Sequence, residues 1–192
     1  MKKAPDIYVV ITDFDGWEQT RICLARLENS SYKNVKIIIV DHGLTDETAV
    51  GLANFPECLR IPASPKLWWT AATNLGIRAA RDRGAEFIML LNNDCFVDDS
   101  TIERVMQHMG VDDKRIIAPV QRNSSSGAVV SAQVGTCFLL GFPTFVMPSI
   151  FKSKRPSGDL VATRLIVGGR GVVIPWSVFA KVGLFDESSL PH

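Results

Sequence analysis

Histidine is scarce in this chain, three residues in 192, and cysteine numbers only four. Cys23, Cys58, Cys95 and Cys137 form no CxxC pair, and no histidine accompanies them at zinc-ligand spacing. That excludes a disulfide scaffold and a structural zinc module, and the four read as reduced cytosolic thiols. An excess of one charge is missing too: 21 basic against 20 acidic residues leave +1. Global charge therefore gives no reason to expect nucleic acid as a partner, and any phosphate recognition has to be local. Met1-Lys2-Lys3 is not followed by a long apolar run with a small-residue cleavage site, so the start does not read as a signal peptide. A membrane-length run is also absent. Asn123 to Phe151 carry no charge, but Gly135, Gly141, Pro143 and Pro148 interrupt them before about 20 apolar residues accumulate, so the segment reads as buried strands and loops. Finally, the first βα turn, Thr12 to Trp17, holds only Gly16, and GxxxxGK[ST] occurs nowhere, which argues against nicotinamide dehydrogenases and P-loop enzymes.

What is present is an ordinary globular composition, 46% hydrophobic and 21% charged. A domain of this size buries roughly 70% of its unfolded surface and needs no staple. Ile7 to Ile11, Val35 to Val40, Phe87 to Leu91 and Ile116 to Val120 are near-continuous apolar runs, as expected of parallel strands covered on both faces. Between them Cys23, Leu24 and Leu27 share a helical face, as do Ala49, Leu52 and Ala53, then Ala71, Leu75 and Ala79. Ser100 to Glu103 spell a capping box for a helix carrying Ile102, Val105, Met106 and Met109, with Gly110 as its stop. Strands and helices alternating in this way predict an α/β fold with an open, doubly wound, mostly parallel sheet. After Val120 the pattern becomes irregular. One short helix is signed by Pro175 at its first turn, by Val178, Phe179 and Val182 on its apolar face, and by Gly183 at its end. Residues 1–192 read as a single domain, with a nucleotide-binding half over 1–120 and a second half over 121–192.

In such sheets ligands bind beyond the carboxyl ends of the strands. Thr12 to Asp15, Asp41 to Gly43 and Asn92 to Asp94 follow three of the runs, so three acid-bearing strand ends converge on one edge. Asp13, Asp15 and Asp46 read at least as well as caps or turn formers. Asp94, with Asn92 two residues before it, suits a hard divalent cation that keeps water and diphosphate oxygens in its other positions.

The segment IIIVDHGLTDET, Ile37 to Thr48, resembles the VDNGSTDGT signature of family 2 glycosyltransferases, inverting enzymes of GT-A fold that use nucleotide-diphosphate sugars. Leu67 to Asp98 resemble the next block of that family, an Asn-x-Gly-Ile helix followed by a strand ending in a DxD-like element, and Arg170 to Glu187 resemble its acceptor-side block ending Gly-x-Phe-Asp-Glu. The resemblance implies one GT-A domain acting on a nucleotide-diphosphate sugar donor and a saccharide or lipid-linked saccharide acceptor. Rhamnosyltransferase-like enzymes of bacterial surface polysaccharide assembly are the kin it suggests. It implies that Thr12 and Asp41 hold nucleobase and ribose, and that Trp68, Trp69, Thr73, Asn74 and Asn93 border the donor. Asp94 and Asn92 would hold the cation, Mn2+ or Mg2+, and Arg170 would offset diphosphate charge. Gly168, Gly169 and Gly171 would let backbone approach the ligand or simply bend a strand. The implied location is the cytoplasm, with peripheral contact at the inner membrane face left open. The family's general base is usually an Asp beyond the Phe-Asp-Glu block, and the chain ends at His192, so the catalytic base is expected beyond it and the second half is expected to be truncated. Two rivals follow: a nucleotide-sugar-binding module without its base, and a sugar-1-phosphate nucleotidyltransferase, which the first βα turn disfavours.

Overall fold

The computed structural model describes residues 4–109, 114–131, 134–137, 142–145 and 169–189. The chain runs β1 (Ile7–Asp13), α1 (Trp17–Glu28), β2 (Val35–Asp41), α2 (Asp46–Leu52), β3 (Cys58–Pro62), α3 (Trp69–Arg81), β4 (Phe87–Asn92) and α4 (Thr101–Gln107). It continues through β5 (Gln121–Arg122), β6 (Val129–Ser131), β7 (Val134–Cys137), β8 (Phe142–Phe145), β9 (Arg170–Pro175) and α5 (Trp176–Val182). The main sheet has the order β3-β2-β1-β4-β9, its first four strands parallel and β9 antiparallel to β4. Two small antiparallel pairs, β5-β6 and β7-β8, lie outside it. The β7-β8 pair sits in the uncharged segment, which is thus at least partly strand, as its composition suggests.

Period-two alternation sends neighbouring side chains to opposite sheet faces, and both faces are buried. Ile7, Val9, Ile11, Ile39, Phe87 and Met89 join Cys23, Leu24 and Leu27 of α1 and Ile102, Val105 and Met106 of α4 in one core. Tyr8, Val10, Ile38, Val40, Ile88 and Leu90 join Ala72, Ile77 and Ala80 of α3 and Phe179 of α5 in the other. The result is a three-layer α/β/α sandwich.

Gly76 is what lets α3 lie this close to the sheet. A Cβ there would fall inside the van der Waals envelope of Val10 Cγ1 and 3.1 Å from Val40 Cγ2. Helix propensity favours alanine over glycine, yet both neighbours belong to a close-packed core that yields little. Gly76→Ala is therefore expected to cost about 1–3 kcal/mol through overpacking. Thermal denaturation checks this, and a melting temperature at or above the parent's would show that the helix can back away.

Several sequence expectations need correction. Ile116 to Val120 are not a strand: only Ile117 makes a bridge, to Val173, and Ile116 and Val120 are exposed. The place beside β4 belongs to β9, and Pro119 lacks the N–H a ladder requires. The third strand, carried by no apolar run, is β3. The capping box does not close, because Ser100 makes no side-chain cap bond. Glu103 instead accepts from Ser31 Oγ at 2.6 Å, tying α4 to the turn after α1. On α3 the buried residues are Thr70, Ala72, Thr73, Asn74, Gly76, Ile77 and Ala80, while Ala71, Leu75 and Ala79 lie on its half-buried flank. On α5 Phe179 is buried but Val182 is 71% exposed, since nothing among the described residues covers that side. Gly110 lies outside the described residues.

Candidate functional site

A cleft of about 720 Å³ opens over the carboxyl ends of β1, β2 and β4, lined among others by Thr12, Phe14, His42, Trp68, Trp69 and Asp94. Pro65, Lys66 and Leu67 form its wall on the β3–α3 side, and Asn92 and Asn93 complete its floor. Register explains the convergence: Thr12 pairs with Val40 on one side and with Asn92 on the other, so the three strands end level.

Asp13 holds the loops around this cleft in place. It is fully buried, and its Oδ1 accepts from Gly16 N at 3.1 Å, Thr20 Oγ1 at 2.9 Å and Asn93 Nδ2 at 3.1 Å. Its Oδ2 accepts from Thr48 Oγ1 at 2.8 Å. One carboxylate thus joins the start of α1, the first turn of α2 and the exit of β4. The turn-forming role expected of Asp13 is present and reaches further than a cap. Asp15 and Leu44 adopt positive φ of 56° in the two loops beside it, and Gly43 lies against the Phe14-Asp15 backbone where no Cβ would fit.

Asp41 is fully buried, and its carboxylate accepts from Leu44 N at 2.8 Å and from Arg60 Nε and Nη2 at 2.9 and 2.6 Å. It therefore sits behind the cleft lining, and the next residue, His42, takes the lining position. Thr73 and Asn74 are buried in α3. Asn74 Nδ2 donates to the Phe185 carbonyl and to Glu187 Oε1, both at 2.8 Å, and its Oδ1 accepts from Phe185 N at 3.1 Å. Arg78 adds an ion pair to Glu187 at 2.9 Å. The Asn-x-Gly-Ile helix and the Phe-Asp-Glu segment thus bind each other. Hydrogen bonds from Asn74 and Arg78 hold the Glu187 carboxyl below its usual range, and those from Ser188 and Ser189 hold Asp186 well below its own.

The Asn92 amide oxygen, expected on the cation, accepts from Trp69 Nε1 at 3.2 Å. Gly169, at φ 72°, makes room for the pair, because a Cβ there would lie 2.5 Å from Asn92 Oδ1 and 3.0 Å from Trp69 Cζ2. Trp69 also meets Phe185, ring centroids 6.0 Å apart. Gly171 is likewise left-handed, at φ 87°, beside the bulge in the β4-β9 pairing, and Gly168 and His192 lie outside the described residues. Asn93 lines the cleft while its amide donates to Asp13, Gly16 and Thr20. Arg170 is exposed and donates to Gln121 Oε1 at 3.3 Å. Asp94 is exposed at the cleft's lip, and its Oδ1 accepts from the Cys95 thiol at 3.6 Å. Burial and the Asp94 charge push that thiol up to about 11, and burial pushes Cys23 up to about 12. Both stay protonated at neutral pH, so neither is an activated nucleophile.

Among the described residues no three His, Cys, Asp or Glu side chains gather into a protein-only metal cage. What Asp94 offers is a single hard carboxylate, which suits Mg2+ or Mn2+ only when diphosphate and water fill the remaining positions. Residues that sequence reasoning left without a role are Phe14, His42 and the Arg60 partner of Asp41. His42 had a visible signal in its place directly after a strand-end acid. Arg60 had none, since only pairing of β3 with β2 brings it to Asp41.

A sandwich with this strand order, and a cleft over the ends of β1, β2 and β4, defines the GT-A class of folds. The chain belongs to glycosyl transferase family 2, whose model matches residues 8–153. Solved structures agree on the fold. S. aureus TarS 1-349 superposes with a TM-score of 0.64 at 11% identity, over 95% of this chain and 51% of that one. Mannosyltransferase PcManGT from Pyrobaculum calidifontis, in complex with GDP-Man and Mn2+, gives 0.65 at 11% identity over 97% and 49%. TarS 1-349 in complex with UDP-GlcNAc gives 0.53 at 13% identity over 70% and 41%. The chain spans about half the length of the first of these structures. No curated protein sequence matches it. No described helix is long and apolar enough to cross a membrane.

Proposed function

We propose that the chain binds a nucleotide-diphosphate sugar in this cleft and serves an inverting, metal-dependent hexosyltransferase that glycosylates a hydroxyl acceptor. The acceptor class we favour is a saccharide or lipid-linked saccharide of surface glycan synthesis, at the cytoplasmic side of the membrane. The observation that carries the reading is the convergence of Thr12, Trp69 and Asp94 on one cleft at the carboxyl edge of a GT-A sheet. GDP-Man with Mn2+ in one structure of like fold and UDP-GlcNAc in another support the donor class.

In this reading Asp94 holds the cation, and a bound cation would supply positive charge to the departing diphosphate. Thr12 lies at the nucleoside end, Trp69 covers the sugar side in the orientation Asn92 gives it, and Arg170 stands at the β4-β9 edge as a further source of positive charge. Asp41 and Asn74 contribute by fixing the loops that carry His42 and Phe185. The general base is left unassigned. Asp186 is engaged by Ser188 and Ser189, and Glu187 by Asn74 and Arg78, so both carboxylates are spent on holding their own segment. That engagement favours one second reading, donor binding without transfer by this chain alone.

A thermal-shift screen of UDP-, dTDP- and GDP-sugars, with and without Mn2+ or Mg2+, tests the reading. One donor class should raise the melting temperature in a cation-dependent way, because a ligand that binds only the folded state stabilises it. No shift with any of them at millimolar concentration would overturn the donor site. Binding without release of nucleoside diphosphate, when acceptor is supplied, would select the second reading.

A further inference from the structure

Of the described residues lining the cleft, Asp94 alone carries a carboxylate, and its oxygens take only the Cys95 thiol, at 3.6 Å. A cation with a single protein ligand depends on how firmly that ligand is aimed. Here the aiming falls to the backbone. Cys95 N donates to the Asn92 carbonyl at 3.0 Å, so Asn93 and Asp94 are the central pair of a tight turn at the end of β4.

Asn93 fastens that turn to the rest of the sheet edge. Its Nδ2 faces three acceptors, Asp13 Oδ1 and Thr20 Oγ1 at 3.1 Å each and the Gly16 carbonyl at 3.3 Å. Thr20 Oγ1 donates its own hydrogen to Asp13 Oδ1 at 2.9 Å, which leaves its oxygen to accept from Asn93. The three side chains close a ring. They also fix which end of the amide is the NH2, because an oxygen in that place would confront acceptors only. Gly16 is an independent sign of the same arrangement. Its φ of -125° suits any residue, yet a Cβ there would fall inside the van der Waals envelope of Asn93 Nδ2 and lie 3.1 Å from Asp13 Oδ1. The residue before α1 is bare where the Asn93 amide enters.

We infer that Asn93 is a positioning residue, pinned by Asp13, Thr20 and Gly16 so that its neighbour Asp94 presents a carboxylate to the cation without reorganising. This rests on the nucleotide-sugar reading above, in which Asp94 holds the cation. The NH2 of Asn93 is engaged beneath the cleft, so its contribution to the donor passes through the turn.

Calorimetric titration of the full chain with UDP, dTDP and GDP, each with and without Mn2+, tests it. The quantity read is the Mn2+ enhancement, the factor by which the cation tightens nucleotide binding. Asn93→Ala should lower it by at least about tenfold, as loss of a group that orients a metal ligand does, while cation-free affinity stays within about threefold of the parent's. Gly16→Ala, which keeps Asn93 but crowds its amide out of the ring, should lower it too, so failure of one variant to fold leaves the other to decide. Thr48→Val is the control. It removes the 2.8 Å bond to Asp13 on the α2 side and leaves Asn93 in place, so it should lower the melting temperature and keep the enhancement. Full enhancement in Asn93→Ala or Gly16→Ala, an equal loss in Thr48→Val, or a cation-free affinity that falls as far as the affinity in Mn2+, would overturn the positioning role. A parent that binds none of the three nucleotides, or binds them without regard to Mn2+, would instead overturn the donor site or its cation, so the failures are distinguishable.

Discussion

Asp13→Ala should lower the melting temperature by roughly 10 °C, corresponding to about 3–5 kcal/mol in a chain of this length. The carboxylate takes four hydrogen bonds, from Gly16 N, Thr20 Oγ1, Asn93 Nδ2 and Thr48 Oγ1, in a fully buried position. Each stranded donor costs about 1–3 kcal/mol, and water entering the space left by the side chain recovers part of the sum. Asp13→Asn should cost much less. Its carbonyl can keep the three donors on the α1 side, and its amide can donate to Thr48 Oγ1 once that hydroxyl turns toward Thr45, 3.0 Å away. Urea denaturation of both variants measures the difference. A loss below about 1 kcal/mol for alanine would mean the loops are held by their backbone bonds alone, such as those from His42 N and Gly43 N to the Asp13 carbonyl.

Asp94→Ala is expected to leave stability within about 0.5 kcal/mol of the parent, because the side chain is exposed. Its effect should fall on donor binding. If Asp94 is the carboxylate that ties a cation to the diphosphate, its loss should weaken Mn2+-dependent nucleotide binding on the order of a hundredfold, from the several kcal/mol a metal's charge supplies. Binding without cation should change little. Asn92→Ala separates the two residues of the DxD-like element: Trp69 should lose its fixed orientation, read by near-ultraviolet circular dichroism, while cation dependence persists. If Asp94→Ala bound nucleotide with the parent's cation dependence, the metal role would pass to another group. Cation dependence lost in Asn92→Ala but kept in Asp94→Ala would invert the two roles.

Much of the architecture was legible in one dimension, because burial on both sheet faces demands apolar runs and helices demand 3.6-residue periodicity. The strands at Ile7, Val35 and Phe87 come directly from that rule. The strand Cys58–Pro62 escaped it: Arg60 sits in the middle and none of its residues is fully buried, as befits a sheet edge. The run at Ile116 failed for the opposite reason, being apolar enough to look like a strand but displaced by β9, whose place beside β4 is a long-range pairing.

The site divides in the same way. Its position at the strand ends, and the candidacy of Thr12, Asn93 and Asp94 for its lining, were readable because side chains that leave a sheet at its carboxyl edge must face the crossover crevice, whereas Trp69, on α3, came from the family resemblance. Which polar atoms remain available there was decided only by the fold. Arg60 engages Asp41, Trp69 engages Asn92, the Phe185–Glu187 segment engages Asn74, and the Leu67 carbonyl engages His42 Nδ1. Residue types dictate where strands end and what chemistry stands there. Hydrogen bonds between segments 19 to 113 residues apart decide which of those groups is already satisfied, and no local pattern records that pairing.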